Sequence, residues 1–191
     1  MKNKILIILI FIFFQFIFFN KIFSKEIEFD ASDIEISNNQ NLTIANNGIA
    51  KIKDDGIIIE GVKIEYFKDQ SLIIVSQGRI SKIDTNLEIK SDLIKYNLKN
   101  GIVDFIDKVR INDKKNNLTI YSDKINYDVT KQKIIGEDNN EIVDEFDNSY
   151  RVNEFQYSGK DKVIKLINAV VTDKNNNKFD LEIAYLDLVK K

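Results

Sequence analysis

An apolar residue followed two positions later by tyrosine returns through this chain at almost constant spacing. The aligned apolar positions are Ile34 (with Ile36), Ile64 (Tyr66), Ile94 (Tyr96), Ile125 (Tyr127), Phe155 (Tyr157) and Leu186 (Leu188), at intervals of 30, 30, 31, 30 and 31. A period near 30 residues means that one structural unit is repeated and stacked, because such a unit cannot bury its apolar face alone. Other positions keep step. Apolar strand-like runs follow each tyrosine (LIIV at 72–75, GIVDFI at 101–106, VIKLI at 163–167), and a second run follows each of those (GRISKI at 78–83, KVRI at 108–111, NAVV at 168–171).

Each run ends in an Asn/Asp/Gly/Lys cluster: KDDG at 53–56, KNG at 99–101, DKKNN at 113–117, DKNNN at 173–177. Short alternating runs between turn clusters predict strands, and connections this short allow only antiparallel pairing. No segment carries helical spacing over three turns. The expectation is one all-β domain: a stacked antiparallel β-jellyroll of about 30-residue repeats, with two long strands per repeat.

The alternation changes phase inside a repeat. Leu87 and Ile89 are odd while Ile94 and Tyr96 are even; Leu118 and Ile120 are even while Ile125 and Tyr127 are odd. A flat strand would send the two pairs to opposite faces. A bulge or corner at Ser91-Asp92 and Ser122-Asp123 returns them to one face. The repeats then form rolled sheets with an apolar inside.

Composition narrows the chemistry. Histidine and cysteine are both absent. That removes histidine-based nucleophilic triads, proton shuttling near neutral pH and the usual zinc ligands, so no metal and no cofactor are expected. Asp54-Asp55 and Glu137-Asp138 are the nearest paired acids, and both lie in turn-like sequence. They read as solvated charge rather than catalysis.

The chain opens MKNK, then an apolar run of about fifteen residues, then Ile22 and Ser24, the pattern of a secretory signal peptide. An uncleaved anchor is the other reading, although about twenty apolar residues are usual for one. Either way, residues from 25 onward leave the cytoplasm, so the domains expected are a signal peptide over 1–24 and one β-domain over 25–191. The whole chain has 28 basic and 30 acidic residues; without Lys2, Lys4 and Lys21 the net charge moves from −2 to −5. A mildly acidic domain argues against a nucleic-acid partner.

The opening stretch IEFDASDIEISNNQNLTIANNGIAKIKDDGIIIEGVKIEY resembles the OstA-like (LptA/LptD N-terminal) domain family of lipopolysaccharide transport. Gly48-Ile49-Ala50-Lys51-Ile52, Ile57-Ile58-Ile59 and Gly61-Val62-Lys63-Ile64-Glu65-Tyr66 carry the likeness. Residues 148–158 and 168–188 look closer to LptD than to LptA. The resemblance spans about residues 26–190, and it implies a periplasmic, non-enzymatic β-jellyroll whose groove holds lipopolysaccharide acyl chains. It further implies partners among other OstA-like domains, joined by edge-strand pairing, and a link to an outer-membrane barrel. No barrel strands or LptD-type cysteines are present through Lys191, so a free-standing LptA- or LptC-like module and an N-terminal part of LptD both fit.

On these grounds the candidate lipid-groove residues are Ile64, Tyr66, Ile94, Tyr96, Ile125, Tyr127, Phe155 and Tyr157. The competing expectation is that the row is plain core, since cross-strand aromatic and β-branched pairs are ordinary sheet packing. An exported spacer without lipid binding would then remain. The first and last strands (26–36 and 179–188) are expected to lack partners and to pair head-to-tail with like domains.

Overall fold

The computed structural model describes residues 25–37, 39–82 and 86–189; the signal segment expected over 1–24 lies outside them. Eleven strands follow in order: β1 (Ile27–Ser37), β2 (Leu42–Ile52), β3 (Ile57–Phe67), β4 (Leu72–Lys82), β5 (Leu87–Asn97), β6 (Ile102–Asp113), β7 (Leu118–Asp128), β8 (Lys133–Val143), β9 (Ser149–Ser158), β10 (Val163–Thr172) and β11 (Lys178–Asp187). Each pairs antiparallel with the next, and all eleven form one sheet in chain order. The expected all-β stack of strand pairs is what the chain adopts. Among the described residues the single helical element is a 3-10 turn, Lys53–Asp55, closed by Gly56 in the left-handed region (φ 61°). The KDDG cluster therefore builds a turn that only a residue tolerant of positive φ can end.

One sheet with no second sheet against it cannot bury a face, yet this one buries a continuous row of large apolar side chains. The resolution lies in the strand middles. In β5, Ile89 and Ser91 are buried on odd positions, then Ile94 and Tyr96 on even ones. In β7, Leu118, Ile120 and Ser122 are followed by Ile125 and Tyr127. The ladder breaks register at those places, between Lys90 and Leu93 and between Tyr121 and Ile125. The Ser91 and Ser122 hydroxyls donate to the Leu93 and Lys124 carbonyls, each at 2.9 Å. The predicted corners at the Ser-Asp steps are present.

The even strands bend too. Their corners use left-handed backbone at Asn47, Gln77, Asp107-Lys108, Asp138-Asn139 and Asn168, with φ between 46° and 63°. None of these residues is β-branched, the class for which positive φ is most costly. The corners line up, so the sheet folds once across its whole width. Its two layers face each other, with the fold line on one side and both rows of turns on the other.

Tight backbone approach along the fold line needs glycine. A Cβ on Gly78 would lie 2.6 Å from the Glu60 carbonyl oxygen and 2.6 Å from Val75 Cγ1. Gly78→Ala should therefore cost about 1–3 kcal/mol, read as a lower midpoint in chemical denaturation. An unchanged midpoint would mean that the corner yields freely.

Three turns on one side share a construction that explains their Asn/Asp clusters. Asp144 accepts from Phe146 N (2.9 Å), Asn148 N (3.0 Å) and Asn148 Nδ2 (2.8 Å). Asp173 does the same with Asn175 N, Asn177 N and Asn177 Nδ2, each at 2.8 Å. Asp113 holds Lys115 N and Asn116 N at 3.1 Å and Asn116 Nδ2 at 2.6 Å. A side-chain oxygen thus replaces the backbone acceptor that a tight turn lacks.

Candidate functional site: an apolar trough between the folded layers

All eight candidate groove residues point between the layers. Ile64, Ile94, Tyr96, Ile125 and Phe155 are fully buried, Tyr127 and Tyr157 nearly so, and Tyr66 partly. The row sits just past the corner of every odd strand: Ile64 and Tyr66 on β3, Ile94 and Tyr96 on β5, Ile125 and Tyr127 on β7, Phe155 and Tyr157 on β9. Even strands supply the facing contacts that the repeat alone did not single out. Val75 stands opposite Ile94, Phe105 opposite Ile94 and Ile125, and Leu166 opposite Phe155.

The sixth member of the ladder differs from the sequence alignment. Leu166 pairs with both Phe155 and Ala184, and Ile164 with both Tyr157 and Leu186. Ala184 and Leu186, not Leu186 and Leu188, therefore continue the row. Strands β9–β11 have ten residues each, against eleven or twelve in β1–β8, and the apolar texture of Leu186 and Leu188 concealed the two-residue shift.

The trough is shut along its middle and open at its ends. Across the mouth, the two turn rows are tied by tyrosine hydroxyls. Tyr157 OH donates to Asp113 at 2.8 Å, and Tyr96 OH donates to Asp55, which Lys25 also holds at 2.7 Å. Burial is the main reason that both phenols lie well above their usual pKa, with the neighbouring carboxylates adding to the effect. Beside the Tyr157 tie a cavity of about 300 Å³ opens at the mouth, lined by Leu87, Asp113, Lys115, Tyr127, Ile134 and Tyr157. Its lining combines the apolar Leu87 and Ile134 and the two tyrosines with polar and charged side chains from both turn rows, among them Asn116, Gln132 and Lys162.

At the β1 end, a shallow hollow lies among Ile27, Phe29, Ile36 and Tyr66. At the β11 end another lies among Leu118, Phe146, Leu186 and Leu188. The candidate acid pairs are accounted for structurally. Asp55 is a tie across the mouth, and Glu137 and Asp138 are exposed at the β8 corner. Among the described residues no cluster of acids could hold a metal, and no helix is long and apolar enough to cross a membrane.

The family model described as "Lipopolysaccharide-assembly, LptC-related" matches residues 5–175, most of the chain. The chain belongs to the LptC-related lipopolysaccharide-assembly family. It is thus a bridge module of lipopolysaccharide transport on the periplasmic side, not an enzyme. No curated protein sequence matches it. Among solved structures it is similar to LptH of Pseudomonas aeruginosa, described as the LptA-homologous periplasmic component of the lipopolysaccharide transport device. The identity is 12%, the match covers 85% of this chain and 94% of that one, and the TM-score is 0.30.

Proposed function

We propose that this LptC-related module carries the acyl chains of lipopolysaccharide between its folded layers. In this reading it joins a bridge toward the outer membrane, as LptA-like or LptD N-terminal modules do, by pairing its edge strands with those of other OstA-like domains. The observation that supports this most directly is the continuous inward row from Ile34 on β1 through Ile64, Ile94, Ile125 and Phe155 to Ala184 on β11. A repeat of equivalent apolar stations suits a sliding chain better than a single pocket does. Each methylene moved from water into such a trough gains about 0.8 kcal/mol, with no directional chemistry required. The sealed middle requires the turn rows to part for a ligand to pass, and the Tyr96–Asp55 and Tyr157–Asp113 ties are the contacts that must give way.

The same sealing favours a second reading, a rigid spacer whose row is only core. Photo-crosslinking in lipopolysaccharide-producing cells separates the two. A photoreactive residue in place of Ile94, Ile125 or Tyr127 should capture lipopolysaccharide, whereas one at Glu65 or Lys95, on the outer face, should capture little. Equal capture on both faces, or none, would leave the spacer.

A further inference from the structure

One position breaks the pattern that the corners of the even strands otherwise keep. Each left-handed corner is followed by a single residue: Gly48 on β2, Gly78 on β4, Val109 on β6, Asn140 on β8 and Ala169 on β10. Four of the five are apolar or carry no side chain, as two layers packed against each other require. The fifth is an amide, although only 2% of Asn140 is exposed.

Half of that amide has a structural task. The β8–β9 ladder breaks register between Glu137 and Asn140, and Asn140 Nδ2 donates there to the Val152 and Asn153 carbonyls at 3.3 and 3.0 Å. Two carbonyl acceptors on one side fix the orientation of the amide, because reversing it would set oxygen against oxygen. The other half has no such task. Asn140 Oδ1 is buried and accepts from no donor among the described residues, and a buried acceptor left unmade costs its full desolvation. The other buried polar side chains, Ser91, Ser122 and Asp113, all use their oxygens.

The oxygen faces the trough. Ile134, Gly136, Asn140 and Ile142 are the buried positions of β8, and Gly136 stands opposite Ile125 and Phe155 of the inward row. A Cβ on Gly136 would lie 2.6 Å from Asn140 Oδ1 and 2.1 Å from Phe155 Cε1. The acceptor therefore sits against the inner side of Gly136, beside the Phe155 ring, at the fold line. The mouth is about 10 Å away, three strand residues at roughly 3.3 Å each, so a head group held between the turn rows does not reach it. A donor that does reach it has to be carried on the apolar part of the ligand.

We propose that Asn140 is a specificity-determining residue of the trough, its Oδ1 accepting a hydrogen bond from a hydroxyl on an acyl chain. This role presupposes that acyl chains pass between the layers, as proposed above. A wholly apolar trough penalises a hydroxylated chain, whose polar group is buried there without a partner. One acceptor in the row removes that penalty for a chain bearing the hydroxyl and offers nothing to a chain without it, which is how a buried polar group selects its ligand.

Capture of a photoreactive fatty acid by the full chain in lipid nanodiscs tests the role. The competitors are tetradecanoate and its hydroxylated forms, with the hydroxyl near the carboxyl end, in mid-chain or near the methyl end. Relative to tetradecanoate, one hydroxylated form should compete about fivefold better in the native chain than in Asn140→Leu, the worth of one net hydrogen bond. Comparing this ratio between proteins cancels the partitioning of each acid into the bilayer. Because Asn140→Leu also removes the Nδ2 bonds, a second variant covers the oxygen and keeps them: Gly136→Ala, with Phe155→Leu to make room. The ratio should fall in that pair and hold in Phe155→Leu alone. A merely structural Asn140 would weaken all the acids alike. Capture with an unchanged ratio overturns the role of Asn140 alone, whereas no capture of any acid overturns the trough reading and this role with it.

Discussion

Phe155→Ala should lower stability by about 3–5 kcal/mol, the range for emptying a large buried ring site, and the thermal midpoint by roughly 10 °C in a domain of this size. Phe155 is fully buried and sits between Gly136 on β8 and Leu166 on β10. Its ring occupies the space where Gly136 lacks a side chain: a Cβ there would lie 2.1 Å from Phe155 Cε1. The surrounding ladder is held by backbone bonds on both sides, so little can collapse into the void. Phe146, 65% exposed in the next turn row, provides the control, because Phe146→Ala should stay within about 0.5 kcal/mol. The check is thermal unfolding followed by circular dichroism. Similar losses for the two variants would show that the interior beside Phe155 is loosely packed, as in a trough ready to admit a chain.

Raising the pH should unfold the domain through its tyrosines. Burial, with the Asp128 carboxylate adding to it, pushes the Tyr127 phenol up from 10.0 to about 12. Tyr150 is likewise pushed up to about 12, by burial first and then by its hydrogen bond to Asp144. Tyr96 and Tyr157 are shifted in the same direction. A phenol whose pKa is raised on folding contributes stability that is fully present below its unfolded value. That stability is lost as the pH climbs through the folded value. The midpoint should therefore hold steady on this account up to about pH 10 and fall steeply between pH 10 and 12, in step with the ultraviolet signal of phenolate. Replacing both Tyr96 and Tyr157 by phenylalanine should flatten the fall. An equally steep fall in that double variant would place the alkaline sensitivity elsewhere.

Much of this was legible from spacing. The 30-residue period, the antiparallel strand pairs and the Ser-Asp corners all follow from local rules. Side chains alternate with period two, short polar connections permit only hairpins, and a phase change within a strand has to be absorbed by a bulge. That Ile64, Ile94, Ile125 and Phe155 share one face followed from the same reasoning, although which face is inward did not. The absence of histidine and cysteine had already set aside nucleophilic and zinc chemistry.

Tertiary structure decided the rest. Asn47, Gln77 and Asn168 turn corners because both flanking half-strands have inner faces to bury, a demand that a polar pair in sequence does not announce. The shift of the sixth ladder member to Ala184 and Leu186 came from cross-strand register with β10, where Leu186 and Leu188 look equivalent along the chain. Asp55 and Asp113 read as turn acids; only the folding of one layer over the other brings them to Tyr96 and Tyr157, 41 and 44 residues away. Alternation is a property of neighbours along a strand and can be read from sequence. Closure is a property of two layers meeting, and it exists only once the whole sheet has folded.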